Sequence, residues 1–448
     1  MAWTQVSDRR WERPIDGIEE YFVFIGSVSA SHFEGREHFT LFSTIEVAPT
    51  IPSDKIEDML KKAWTQLRYE QPQLAATVNT KTRRKVYEVP DETELQAWLA
   101  ATFIVSKAPN ADELYATVRP ISKATLYYLP RSSELVFRVH HHIMDGTGIL
   151  MFWDQYLGAI AAPREDKITF GDEPSRLAPS FGQALGVHDG PTPGEIDKIT
   201  QILTAFSERA PGIGLASTVG RAPAGQSRQK RLLLSPEDTK AIIQVCKERG
   251  VTVTSAVHAA FIQAITKTPD PNLPSSHYVT CIQFNLRRYL PHPFNTPNYA
   301  AALYYTPLPF VQDLPSPFWS TADALNKAYT TTFRADPSSV RLIPHLDRAM
   351  ADAVQAPDFQ DVPISHDPLP SSLGIIEQYL KREYGSTVSV KDVSVGVDIV
   401  LGPSMFFIST FRDRLRMDYS FNDGYEDPVG IERFLESVRG VLLEEMLG

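Results

Sequence analysis

Cysteine is nearly absent from this chain: its 448 residues include two, Cys246 and Cys281. Two thiols make neither a disulfide framework nor a zinc cluster, and they suit a reducing compartment. Long apolar runs are missing as well. Nowhere do about 18 uncharged apolar residues follow one another, so no membrane span is expected. The opening MAWTQVSDRRWERP is polar and charged, without the apolar stretch of a secretory signal, and the closing EEMLG holds no lipidation box. Together these absences lead to an expectation of a cytoplasmic protein with no membrane partner. Positive charge is in short supply: 44 Lys and Arg face 54 Asp and Glu, a net charge of −10. A broad nucleic-acid-binding surface is not expected on that balance. There is no short repeat, heptad array or low-complexity tract.

What is present is ordinary globular material, 43% hydrophobic and 22% charged. A chain this long buries ~75% of its unfolded surface, enough to enclose a partly dry cavity. The length allows about three folding units, or two large ones. Prolines, 34 in all, crowd the connections, most densely between Ala161 and Arg231. A helical stretch near Glu195–Glu208 interrupts this region, which reads as a crossover between two halves. The expected organisation is therefore 1–162, a crossover at 163–230, and 231–448.

Each half mixes helices and strands, so the fold class is α/β. Ile56, Met59, Leu60, Ala63, Trp64 and Leu67 share one helical face, which Glu70-Gln71-Pro72 terminates. Leu135, Phe137, Val139 and His141 alternate with Val136, Arg138 and His140, as in a strand. Asp145-Gly146-Thr147-Gly148 reads as a turn, with a helix over Ile149–Ile160. Ser235-Pro236-Glu237-Asp238 reads as a capping box opening a helix that ends near Gly250. Thr254–Lys267 is a second helix, Tyr278–Leu286 a strand, Met405–Phe411 with Arg414–Phe421 a hairpin, and Val429–Leu447 a final helix.

The chemistry is concentrated in His140-His141-His142-Ile143-Met144-Asp145-Gly146. Period-two alternation puts His141 on the apolar face and sends His140 and His142 the other way. A neutral imidazole entering an apolar interior at a chain turn is a candidate general base, because desolvation disfavours its protonated form. Three plainer readings compete. Buried histidines are often hydrogen-bonded core residues. Histidines on opposite faces of a strand converge poorly on a metal, so no metal site is expected. Chance produces the spacing HHxxxDG on the order of once in a thousand such chains. Phe152, Trp153 and Tyr156 recur at helical spacing and read as core before pocket lining.

His140-His141-x-x-x-Asp145-Gly146 resembles the HHxxxDG signature of the chloramphenicol acetyltransferase-like superfamily. That group includes condensation domains of peptide synthetases, plant BAHD acyltransferases and fungal trichothecene 15-O-acetyltransferase-type enzymes. Three other stretches fall in the family's order: Tyr69–Ala76, Gly250–Ala256, and Phe284–Pro291 with Asn285-Leu286-Arg287. The likeness extends from about Trp11 to Leu442 and is greatest to the fungal stand-alone enzymes. The DFGWG box of BAHD enzymes is not found, Phe421–Tyr425 being the nearest stretch, and neither is the FVNT-type motif of condensation domains.

The resemblance implies a pseudo-dimer of two α/β sandwich lobes with an active-site tunnel between them. It also implies an acyl-CoA-dependent O-acyltransferase, acetyl being the first choice of acyl group, that acts on a hydroxylated secondary metabolite. His141 is then the base, with Asp145 and Gly146 completing the catalytic motif. Asp145 is expected to pair with Arg287 in preference to Arg288, while His140 and Asn285 give structural support. No bound cofactor is implied; acyl-CoA is a co-substrate, and a monomer suffices. The substrate-binding residues are not specified by sequence, and Tyr299, Tyr304 and Tyr305 are not placed by it. Arg221, Arg228, Lys230 and Arg231 form a positive run that suits CoA phosphates or a solvated linker. Two other readings remain open: a condensation-type enzyme fed by a carrier-protein thioester, and a non-catalytic relative that binds a small molecule.

Overall fold

The computed structural model describes residues 2–50, 53–117, 119–357 and 367–448. Its largest sheet has six strands in the order Glu383–Tyr384, Val388–Val397, Leu41–Pro49, Glu134–Val139, Thr125–Leu129 and Phe103–Val105. The histidine strand, Glu134–Val139, is central, antiparallel to Leu41–Pro49 on one side and to Thr125–Leu129 on the other. On its inner face Leu135, Phe137 and Val139 enter the largest core, together with Trp64, Phe152 and Trp153. The Ser53–Glu70 helix buries Ile56, Leu60, Ala63, Trp64 and Leu67 there, the stripe its spacing announces, and it stops two residues before Pro72.

One neighbour in that sheet has no local sequence signal. Val388–Val397 pairs antiparallel with Leu41–Pro49, from Val388 opposite Pro49 to Val397 opposite Leu41, with one bulge between Val390 and Asp392. The sheet of the first half is thus extended by a strand from the last quarter of the chain. A separate antiparallel sheet joins Thr4–Ser7, Arg10–Pro14, Arg84–Glu88 and Thr77–Asn79.

The other half is built on the sheet Leu369–Ile375, Met405–Phe411, Arg414–Asn422 and Ser227–Leu233, beside the ribbon of His277–Asn285 and Tyr305–Asp313. Helices Pro236–Arg249, Val253–Lys267 and Pro428–Leu447 cover it. Ser235 caps the first of these by accepting from the Asp238 N–H (3.0 Å), and Gly250 ends it at φ 71°. Ser227–Leu233 spans the expected 230/231 boundary.

Strand alternation couples the two cores. Met405, Phe407 and Phe411 face the core of the histidine strand, while Phe406 and Ile408 of the same strand face the other. On the adjacent strand Leu415, Met417, Tyr419 and Phe421 are apolar and inward. Their alternates Arg416, Asp418 and Asn422 are buried and polar; Arg416 pairs with Asp392 (2.6 Å), and Asn422 Nδ2 donates to Ile399 O (2.8 Å). The halves therefore meet along a seam of buried polar groups backed by hydrocarbon, most of them paired, with Arg416 Nε and Asp418 Oδ1 left without a hydrogen-bond partner among the described residues. Among the described residues no helix is long and apolar enough to cross a membrane.

Candidate active site

The histidine strand stops at Val139, and the chain turns at once, with the Ile143 N–H donating to His140 O (2.9 Å). The helix expected from Ile149 starts earlier, at Gly146, and runs to Ala161. The reason is Asp145, whose carboxylate caps the helix by accepting from the Gly148 N–H (2.8 Å). Asp-Gly-Thr-Gly reads as a turn from local propensity, and the cap converts it into a first helical turn.

His141 projects to the apolar side of the strand. Its ring lies parallel to Phe22 (centroids 4.0 Å apart, planes 5° apart), with Tyr305 at 5.3 Å and 27°. Phe22 comes from the helix Gly17–His32 and Tyr305 from the strand Tyr305–Asp313, so three distant segments form the enclosure. Burial pushes the imidazole down to about 4, so the ring is neutral at pH 7. Its Nδ1 is buried without a hydrogen-bond partner, and Nε2 has no protein partner among the described residues. A neutral, unengaged imidazole is free to accept a proton from a bound molecule.

Of the two flanking histidines only His140 has its ring hydrogen-bonded; among the described residues the buried Nδ1 of His142, like that of His141, has no partner. His140 Nε2 meets Ile121 O at 2.9 Å, and its Nδ1 lies 2.9 Å from Glu37 Oε2. The His142 ring runs parallel to that of His140 (5.6 Å, 7°), and its carbonyl accepts from Lys85 Nζ (2.7 Å). Lys85 is fully buried; it also pairs with Glu19, which bonds in turn to Arg13 at 2.6 and 2.7 Å. Burial brings Lys85 down to about 8, while the Arg13 and Lys85 cations hold the Glu19 carboxylate far below its usual range against its own burial.

The structure brings Asp145 and Arg287 together. Arg287 Nη1 reaches both carboxylate oxygens (2.8 and 2.7 Å), and each side chain is 3% exposed. Asp145 Oδ2 also accepts from the Tyr304 N–H (2.9 Å), and Arg287 Nη2 donates to Ala302 O (3.1 Å). Asn285 accepts from the Arg287 N–H (3.1 Å) and donates to the Tyr379 hydroxyl (3.3 Å). The strand ends at Asn285 and Arg287 opens a short 3-10 turn, so the turn rather than strand alternation aims it inward. Arg288 is exposed and donates to the Tyr289 hydroxyl.

Gly146 is less demanding than its motif position implies. A methyl group there would meet only the end of the Leu373 side chain, at 2.9 Å. Gly148 is the glycine that the packing needs: a Cβ would overlap the Ala300 carbonyl oxygen and press on Met144 Cγ (2.8 Å) and Arg287 Nη2 (3.2 Å). Sequence reading missed this residue, and also Phe22 and the Glu19–Lys85 pair. The one signal available was the Asp16-x-x-Glu19 cap that opens the Phe22 helix.

Phe152, Trp153 and Tyr156 are fully buried core residues; Trp153 donates to Ser43 Oγ (2.9 Å) and Tyr156 to Leu60 O (3.0 Å). Tyr304 lies against Arg287, whereas Tyr299 packs on Phe294 away from the histidine. The positive run is largely neutralised in place. Arg228 pairs with Asp423 (2.7 Å), Lys230 with Glu432 (3.2 Å) and Arg231 with Asp418 (3.4 Å), while Arg221 donates to Ser217 O (2.5 Å). It presents little free charge to a phosphate. Both cysteines are unbonded, and burial raises their thiols to about 11 (Cys246) and about 12 (Cys281).

This architecture is found in known proteins. The structure of TRI3 trichothecene 15-O-acetyltransferase from Fusarium sporotrichioides superposes with a TM-score of 0.84, covering 99% of this chain and 98% of that one at 17% identity. The first condensation domain of the calcium-dependent antibiotic synthetase gives a TM-score of 0.67 over 96% and 95%, at 15% identity. Two curated relatives from Monascus ruber align with the whole chain. Acetyltransferase pigO is 28% identical with 98% of its own length matched, and O-acetyltransferase pigM is 27% identical with 87% matched. The chain is an acyltransferase with the chloramphenicol acetyltransferase-like fold. No protein-family model matches it. In this acyltransferase the loop with the free imidazole is clamped on one side by Arg287 and on the other by Lys85.

Proposed function

We propose that this acyltransferase moves an acyl group, acetyl foremost, from acyl-CoA to a hydroxyl group of a secondary metabolite. His141 serves as general base, and the acyl group passes directly without an acyl-enzyme. The supporting observation is the state of His141: neutral at pH 7, packed against Phe22 and Tyr305, with Nε2 unengaged on a loop fixed by the Asp145–Arg287 pair. The names of the relatives, acetyltransferase and O-acetyltransferase, agree with the acyl group and the acceptor atom.

In the first step Nε2 takes the hydroxyl proton as the oxygen attacks the thioester carbonyl, forming the C–O bond and a tetrahedral oxyanion. In the second the C–S bond breaks, and the imidazolium returns its proton to the departing thiolate. General-base assistance of this kind supplies ~10²–10⁴-fold in rate. The raised thiols of Cys246 and Cys281 are poor nucleophiles, which favours direct transfer over a covalent intermediate.

A second reading, a donor thioester carried on a protein, draws on the fold shared with the condensation domain. Free-thiol release separates the readings. Acetyl-CoA with hydroxylated polyketide or terpenoid acceptors should release thiol with the wild type and not with His141→Ala. Release only from a carrier-bound donor would replace the first reading with the second. Ligand binding without release from either donor would leave a binding protein.

A further inference from the structure

Away from the His141 enclosure the structure has a cleft of about 830 Å³, between the helix Glu92–Thr102, the sheet containing Arg84–Glu88, and the connection leading to Thr125. Neither Phe22, His141 nor Tyr305 lines it. Its wall holds Arg68, which is 5% exposed and stacked over Trp98 (4.6 Å) and Phe170 (5.5 Å). Among the described residues Arg68 Nε and Nη1 have no hydrogen-bond partner, and neither has the buried indole N–H of Trp98, although the Tyr87 hydroxyl acts on the Arg68 side chain.

A buried guanidinium normally faces a carboxylate, because an unpaired buried charge is costly. The acidic groups that influence Arg68 are already engaged. Glu173 accepts from the Tyr87 hydroxyl (2.8 Å), and Glu94 accepts from the Asp91 N–H (2.9 Å) and pairs with Arg9. The cleft also presents Arg119 and Lys123, and among the described residues none of these three cations is ion-paired. Arg10 and Glu88, on the same wall, pair with each other (3.0 Å). The lining sets Arg10, Arg68, Arg119 and Lys123 against Glu88 and Glu94, a surplus of two positive charges beside an indole donor, in a protein whose net charge is −10.

We propose that this cleft is a second ligand site, which takes a small molecule bearing a phosphate group. A phosphate monoester brings ≈ 1.5 to 2 negative charges and three acceptor oxygens, against one charge for a carboxylate, and so suits a surplus of two positive charges better. Guanidinium and phosphate also match as a planar fork and its acceptors. The phosphate can belong to a free metabolite or to the nucleotide end of CoA. The cleft also reaches the catalytic loop, because Ile121 lines it and the carbonyl of Ile121 holds His140 Nε2.

The test is calorimetric titration of the intact protein with pyrophosphate, run in parallel on His141→Ala so that binding is read independently of acyl transfer. Saturable binding is expected, weakened at least about tenfold by Arg68→Met and by Arg119→Ala/Lys123→Ala together. Competition by CoA assigns the phosphate to the donor substrate; indifference to CoA assigns it to a separate metabolite. Without ligand, Arg68→Met should unfold no earlier than the wild type, since methionine suits the apolar wall and removes an unpaired charge. No saturable binding below about 10 mM, or equal binding by both variants, would overturn the proposal. So would an earlier unfolding midpoint for Arg68→Met with pyrophosphate affinity unchanged in the double variant, which would make Arg68 a structural residue.

Discussion

Replacing Asp145 by alanine should damage the fold, not only the reaction. Its carboxylate accepts two bonds from Arg287 Nη1, one from the Gly148 N–H and one from the Tyr304 N–H, all in a site closed to water. Removing one partner of a buried pair costs ~3–5 kcal/mol through the charge left behind. The two orphaned N–H groups add ~1–3 kcal/mol each when they find no water. Asp145→Ala should therefore lose about 5 kcal/mol or more, a large share of a typical stability of ~5–15 kcal/mol. Arg287→Met should lose less, about 3 kcal/mol, because the carboxylate keeps its two backbone donors. In the double variant the stranded charge disappears, so its loss should fall about 3 kcal/mol short of the sum. Urea unfolding followed by tryptophan fluorescence, with soluble yield as a second readout, measures all three. Losses that add within ~0.5 kcal/mol, or an Asp145→Ala loss below about 1 kcal/mol, would show that the two residues do not act as a pair.

Three further outcomes follow from the same site. His141→Ala should keep its unfolding midpoint within ~1 kcal/mol of wild type while turnover drops by ~10²–10⁴-fold; near-normal thiol release would remove His141 from the chemistry. The pH dependence has a definite sign. The base works when neutral, and its pKa is lowered to about 4, so kcat/KM should stay level from pH 8 to about 5 and fall below that; an acid limb centred near pH 6.5 would mean the ring is solvated. The two glycines after Asp145 should differ: Gly146→Ala should cost under ~1 kcal/mol, whereas Gly148→Ala, meeting the Ala300 backbone, should cost ~3 kcal/mol or more in the same urea assay.

Much of the fold was legible because short-range patterns decide it. The stripe from Ile56 to Leu67, the alternation from Leu135 to Val139 and the Ser235 cap each express a period or a cap that neighbouring residues set among themselves. The early helix start at Gly146 was not, because a turn-forming string becomes helical only when Asp145 is held in place by Arg287, 142 residues away. The insertion of Val388–Val397 beside Leu41–Pro49 was likewise hidden, since a strand's own sequence looks the same whichever strand it pairs with.

By itself the sequence determined which residue types stand at the turn: a histidine due on the apolar face, an aspartate four residues on, and glycines beyond it. Those follow from alternation along one strand and the order of the chain. Tertiary structure alone decided the chemistry of that histidine. Its basicity is set by how much water surrounds the ring, and the residues that exclude water, Phe22 and Tyr305, lie more than a hundred positions away on opposite sides of it in the chain. The same holds for Arg68, whose lack of an ion pair is visible only once Glu173 and Glu94 are seen to be bonded to other groups.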